Sequence, residues 1–177
     1  MSLYEYVQSK EDVLDLALDE VIGEIEMPGE TGASEGAGAW RDFLIGQLTQ
    51  SRAVMRRHPW VPALTATRPL VGPRALARSR VFYEALAAAG LEGELLTAAV
   101  GTLSSYVNGF VAAENIWWQT VRTPAADAEF RARVAGHLEG QLAQLSRVRD
   151  GDFDRQFLLG LGLILDGIEG RLGGAGP

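Results

Sequence analysis

The chain has 177 residues, a formal net charge of −7, a single lysine and no cysteine. The length suits one domain, because a chain near ~150 residues buries roughly two-thirds of its unfolded surface. The acidic balance excludes a broad polybasic surface for nucleic acid or anionic lipid. With no cysteine and with His58 and His137 far apart, there is no disulfide framework and no zinc-ligand spacing.

The N-terminal residues show no basic stretch followed by an apolar segment of the secretory type, so the sequence reads as cytoplasmic. Ser9 followed three residues later by Asp12 resembles a capping box, which starts a helix near Lys10. Apolar residues at Val13, Leu14, Leu16, Ala17, Val21, Ile22 and Ile25 repeat at helical spacing until Pro28 and Gly29, as in an amphipathic connecting helix. Met27 to Gly38 is rich in Gly, Ser and Glu and reads as a loop.

Helix resumes near Ala39, with Trp40, Phe43, Leu44, Leu48 and Met55 on one broad face. His58 and Pro59 close it, because the residue before a proline is pushed out of the helical region. A short helix through Trp60 and Leu64 follows. Pro69, Gly72 and Pro73 break the chain before a helix that opens at Pro73 and stops at Gly90.

Leu91 to Arg122 is the longest helical stretch, ended by Thr123 and Pro124. Its run from Leu95 to Ala113 carries no charge and approaches the ~20 residues that span a bilayer. Five polar side chains inside the run, from Thr97 to Asn108, and the acids that flank it favour a buried helix instead. Phe130, Val134, Leu138, Leu142 and Leu145 suggest a further helix, and a last one runs from Asp152 to Leu172, with a glycine-rich tail expected to be disordered. No stretch alternates as a strand does, so the fold class is all-α.

Two helices carry unusual faces. Gly101, Ser105 and Gly109 recur every four residues, and Phe157, Leu161, Ile164 and Ile168 belong to an apolar stripe wide enough for more than one neighbour. Glycine costs roughly 1 kcal/mol per helix-interior position relative to alanine, so its repeated use calls for a packing reason. Core helices of a monomer and a four-helix interface in a two-fold dimer both satisfy the pattern.

No catalytic constellation stands up. The chain has no GxSxG elbow, no HExxH pair and no dinucleotide-binding glycine motif after a strand. Glu92 and Glu94 fall on different sides of a helix, Glu114 reads either as solvated or ion-paired or as a polar hook in a cavity, and His58 reads as a helix terminator. Nothing asks for a cofactor or a metal. The aromatic residues suit either an ordinary core or a small-molecule pocket.

Several segments in order resemble one family. "SLYEYVQSKEDVLDLALDEV" resembles the end of the recognition helix and the start of the linking helix in tetracycline-repressor (TetR) regulators. "RRHPWVPAL", "GPRALARSRVFYEALAAAGL", "SSYVNGFVAAE" and "FLLGLGLILDGIEGRL" resemble successive parts of that family's C-terminal domain. The resemblance implies an all-α regulatory domain with a four-helix dimer interface formed by Gly101, Ser105, Gly109, Phe157, Leu161, Ile164 and Ile168. Residues 1–8 would be the remnant of a DNA-reading helix, 9–172 the effector-binding and dimerisation domain, and 173–177 a disordered tail.

By position, the resemblance places Ser2, Tyr4, Tyr6 and Lys10 among DNA contacts, with operator DNA bound through a helix-turn-helix domain that precedes them. It places Glu26, Gln47, Ser51, Leu64, Thr67, Phe82, Val100 and Ser104 around an effector. Glu26, Leu64 and Phe82 stand where drug-binding members hold a metal-chelated drug, which favours a larger apolar or aromatic effector. The implied function is a ligand-sensing, dimerising transcriptional regulator of the repressor type, and not an enzyme or a membrane protein. The rival is a headless small-molecule-binding or partner protein without DNA binding.

Overall fold

A computed structural model describes residues 9–27, 38–120 and 152–172, together with residues 123, 125, 126, 128, 129, 132 and 133. These form α1 (Lys10–Ile22), α2 (Ala39–Arg57), α3 (Val61–Thr65), α4 (Pro73–Ala88), α5 (Gly93–Thr120) and α6 (Phe153–Leu172). There is no strand among the described residues, as the sequence leads one to expect. Most of the helix anticipated from Phe130 to Leu145, the loop at 28–37 and the tail at 173–177 lie outside the described residues. So do Ser2, Tyr4 and Tyr6, whereas Lys10 is exposed at the start of α1.

The helix ends follow from local chemistry. Ser9 Oγ accepts from the Asp12 backbone N–H at 3.1 Å while the Asp12 carboxylate accepts from the Ser9 N–H at 2.9 Å, which completes the capping box. Pro73 occupies the first turn of α4, where its missing N–H costs nothing. Gly90 takes φ +106, a left-handed backbone that side chains resist, and the Leu91 N–H then closes on the Leu86 carbonyl at 3.1 Å.

Helix α5 is the centre of the molecule and packs against α2, α3, α4 and α6. Its inward face is Val100, Leu103, Val107 and Val111, all buried, at the spacing of one helix side. It is long and apolar enough to cross a membrane by length and composition. The fold gives another reason for that apolarity, because one side enters the core and Glu114 within the same helix is 1% exposed and ion-paired.

Glu114 joins three helices. Arg52 of α2 donates to both of its carboxylate oxygens at 2.8 Å, Arg56 reaches it at 3.2 Å, and Asp154 of α6 takes the Arg52 guanidinium at 2.7 Å. The Arg52 guanidinium also lies 5.6 Å from the ring centre of Phe110 and 5.2 Å from that of Phe157. Burial works against the charge on Arg52, yet hydrogen bonds and attraction from Glu114 and Asp154 outweigh it and hold its pKa above the ordinary arginine value. Of the two readings of Glu114 open from sequence, the ion pair is the one found.

Helix α6 docks on α5 through a close approach. The Tyr106 hydroxyl donates to the Phe157 carbonyl at 2.8 Å and rests against Gly160, where a Cβ would collide with it. The apolar stripe of α6 thereby becomes core: Phe157 and Leu161 are wholly buried and Ile168 nearly so. The surfaces of these three residues, expected at a subunit interface, are covered within one chain. Ile164 is half-buried against the same core.

The opposite side of α6 exposes Leu159 and Leu163, the latter at 75%. On α5, Gly101, Ser105 and Gly109 are exposed, and a Cβ at either glycine would meet nothing within 4 Å. Among the described residues, the small-residue strip is therefore not used for packing. Removing one partner of a buried ion pair typically costs about 3–5 kcal/mol, so Glu114→Ala is expected to lower unfolding stability by that order in urea. A loss below about 1 kcal/mol would show that the Arg52 charge does not depend on Glu114.

Candidate functional site

Four helices leave a gap where they meet. The C-terminal end of α1 brings Ile22 and the following Ile25, α2 brings Leu48, Ser51 and Met55, and α4 brings Ala75, Arg78, Ser79 and Phe82. Helix α5 contributes Val100, Ser104, Val107 and Asn108, and Leu70 closes one edge. Each set repeats at three, four or seven residues, so each helix presents one side to the same space. The cavity encloses about 160 Å3, smaller than the roughly 300–1,000 Å3 of most small-molecule sites. Leu70, Ser79 and Ser104 are exposed at its rim.

The walls are mostly apolar, with one charged group among the described lining residues, Arg78. Its guanidinium is held by neutral acceptors: Gln47 Oε1 at 2.7 Å, the Gln47 carbonyl at 2.9 Å and Ser51 Oγ at 2.7 Å. It lies 5.2 Å from the centre of the Phe82 ring. Burial without a counter-ion pushes its pKa down to about 10, so it stays charged at neutral pH. By the usual 1.36 kcal/mol per pH unit this is a cost on the order of 3 kcal/mol, carried by the folded chain below pH ~10.

The residues singled out from sequence divide by position. Ser51, Phe82, Val100 and Ser104 line the cavity. Gln47 sits behind it, buried, and orients Arg78 while its own Nε2 donates to the Glu26 carbonyl at 3.1 Å. Glu26 is exposed and takes part through that backbone oxygen. Leu64 is packed against the core elsewhere, and Thr67 is exposed with its hydroxyl turned back on the Leu64 carbonyl at 3.1 Å; neither reaches the cavity.

Sequence reasoning missed Arg78, Asn108 and Asp19. Arg78 and Phe82 are four apart on one helix face, a spacing that marks Arg78 once Phe82 is suspected. Asp19 is buried on α1 and its carboxylate accepts from the Ala75 N–H at 2.9 Å and the Arg74 N–H at 3.3 Å. It thus caps the first turn of α4 from a different helix, where Gly72 has no side chain to do so. Gly72 is required there, because a Cβ would strike the Asp19 side chain. No pattern within α4 could have shown this.

The two ends of α1 and α2 are joined as well. Glu24 accepts from Arg57 and contacts His58 Nε2, both at 2.8 Å. The Arg57 hydrogen bond is the largest influence holding the Glu24 carboxyl below its ordinary pKa.

Residues 32–172 match the family model described as the C-terminal domain of tetracycline repressor-like proteins. An HTH-type transcriptional regulator of Saccharopolyspora erythraea is 40% identical over 97% of this chain, which spans 71% of that protein. The HTH-type transcriptional repressor DrrR1 of Streptomyces coeruleorubidus is 37% identical over 96% of this chain, which spans 64% of it. The chain belongs to the TetR family of transcriptional regulators.

Solved structures of the Streptomyces coelicolor TetR family protein ActR share the fold at 24% identity. With actinorhodin bound, ActR superposes with a TM-score of 0.77 over 97% of this chain and 81% of its own. The apo form gives 0.80 over 98% and 80%.

An aspartate or similar side chain capping a helix contributes about 0.5–2 kcal/mol. Asp19→Ala is expected to lower stability within that range, and Asp19→Asn, which keeps an acceptor, by less. Equal stability of Asp19→Ala and the native chain would show that α4 does not depend on α1 for its first turn.

Proposed function

We propose that this chain is the effector-sensing and dimerising part of a cytoplasmic repressor-type regulator, and that its effector occupies the cavity between α1, α2, α4 and α5. The observation that carries this reading is the position of the cavity: Ile22 and Ile25, at the end of α1, form part of its wall. ActR bound to actinorhodin supports a ligand-binding role for this architecture. The cavity holds one charged group and no acid–base pair among its described lining residues, so its chemistry is that of recognition rather than turnover.

About 160 Å3 holds roughly one aromatic ring. A larger apolar or aromatic effector fits only if the walls separate, and the α1–α4 side is the one that moves in this mechanism. Asp19 ties the first turn of α4 to α1, so a displaced α4 carries α1 with it. In a TetR-type regulator α1 leads to the DNA-binding head, and its displacement changes the spacing of two heads across the dimer. The required bias is modest: a 100-fold difference in effector affinity between the two states is about 2.7 kcal/mol of coupling.

The dimer in this reading uses the exposed strip Gly101, Ser105 and Gly109 of α5 with the outer face of α6 around Leu159 and Leu163, and two copies of each helix make the four-helix interface. Light scattering is expected to give a dimer mass for the native chain and a monomer mass for Gly109→Arg; a native monomer would overturn the interface. Filling the cavity with Val100→Phe is expected to abolish the thermal stabilisation that an aromatic library gives the native chain, with the dimer mass unchanged. Retention of the same ligand shifts by Val100→Phe would place the binding site elsewhere.

A further inference from the structure

The chain buries two arginines in the described residues and treats their charges differently. Arg52 is paired with Glu114 and Asp154. Arg78, also buried, has no carboxylate partner among the described residues and only the neutral oxygens of Gln47 and Ser51. These take three of its five N–H groups, and the others have no acceptor among the described residues. A buried cation without a counter-ion is costly to maintain, and an anion arriving beside it in a water-poor space is bound strongly for the same reason.

The surroundings say what kind of anion fits. Arg78 lies along the Phe82 ring, and Leu48, Val100 and Val107 supply apolar wall. Asn108 also faces the cavity; its Oδ1 accepts from Thr65 at 3.3 Å, so its amide N–H groups remain as donors. The space thus offers an aromatic ring a dry wall and offers a carboxylate two sets of donors, with no acidic side chain lining it to repel the charge.

Resting on the effector cavity proposed above, we infer that the effector is an anionic aromatic compound whose carboxylate pairs with Arg78. The same contact is the sensor. Arg78 is hydrogen-bonded to Gln47, and Gln47 donates to the Glu26 carbonyl just beyond the end of α1. An anion that draws the guanidinium toward itself loosens the Gln47 and Ser51 contacts, and α1 loses a polar tether to α2. Glu26 then acts through its backbone, which accounts for its place beside the site without its side chain entering it.

The test uses calorimetric titration at neutral pH with 2-naphthoate and the neutral 2-naphthamide, on the native chain and on Arg78→Gln. A charge-assisted hydrogen-bonded pair is worth about 10- to 100-fold in affinity. The native chain is expected to bind the acid at least about 10-fold more tightly than the amide, and Arg78→Gln to bind the two equally, with the amide unaffected. Equal binding of acid and amide by the native chain, or a preference for the acid that survives in Arg78→Gln, overturns the anion site while leaving the cavity as an effector site. Binding of neither probe to the native chain overturns both. The native comparison decides the matter even if Arg78→Gln does not fold, and Arg78→Lys, with the charge but not the planar fork, is expected to retain a smaller preference for the acid.

Discussion

The buried pair of Glu114 and Arg52 is the interaction on which the packing of three helices depends. It pins α2, α5 and α6 to one another, with Asp154 and two aromatic rings around the same guanidinium. Tyr106 adds a second attachment of α6 to α5. Such a network tolerates little displacement, because separating its members strands a charge in a poor dielectric. In the proposed mechanism helices α2 and α5 therefore form the floor of the cavity, and a ligand that needs room takes it from α1 and α4.

The responsive side is joined by polar contacts of a lighter kind. Asp19 holds α4 by two backbone N–H groups, Glu24 holds the end of α2, and Gln47 holds the Glu26 carbonyl. The buried bonds of Asp19 and Gln47 are each of modest net worth, about 0.5–1.5 kcal/mol or somewhat more where a carboxylate takes part, and the exposed Glu24 pair is screened by solvent and contributes less. That is the scale of a regulatory equilibrium, in which a few kcal/mol decide the populated state. In the proposed mechanism, the position of Arg78 at the junction of cavity, α2 and α1 lets one ligand group act on several of these contacts.

Much of this architecture was legible in the residues. Ser9 and Asp12, Pro73 and Gly90 punctuate the helices by local chemistry, and the structure ends its helices at or within two residues of those signals. The helical spacing of Gly101, Ser105 and Gly109 identified a strip of small residues, but spacing cannot tell which side of a helix is covered, and only the fold shows that the described residues leave the strip open. The stripe of α6 illustrates the reverse: Phe157 and Leu161 had the pattern of an interface and became the core.

At the cavity, the residues that could be placed by family position, Ser51, Phe82, Val100 and Ser104, line it, whereas Leu64 and Thr67 do not. Arg78 and Asp19 escaped notice because a buried charge is normally excluded from a core and reveals its role only with its partners in place. Asp19 finds its partners 55 and 56 residues away in the chain.

The central claim is that occupancy of the cavity moves α1. The absence of cysteine allows a single spin label at Lys10→Cys, at the start of α1, and the distance between the two labels of the proposed dimer can be measured by pulsed electron resonance. Coupling of the cavity to α1 predicts one distance distribution without ligand and a displaced one at saturating 2-naphthoate, with the displacement lost in Val100→Phe. A distribution unchanged while calorimetry shows the cavity filled would contradict it, since the ligand would then bind without moving α1.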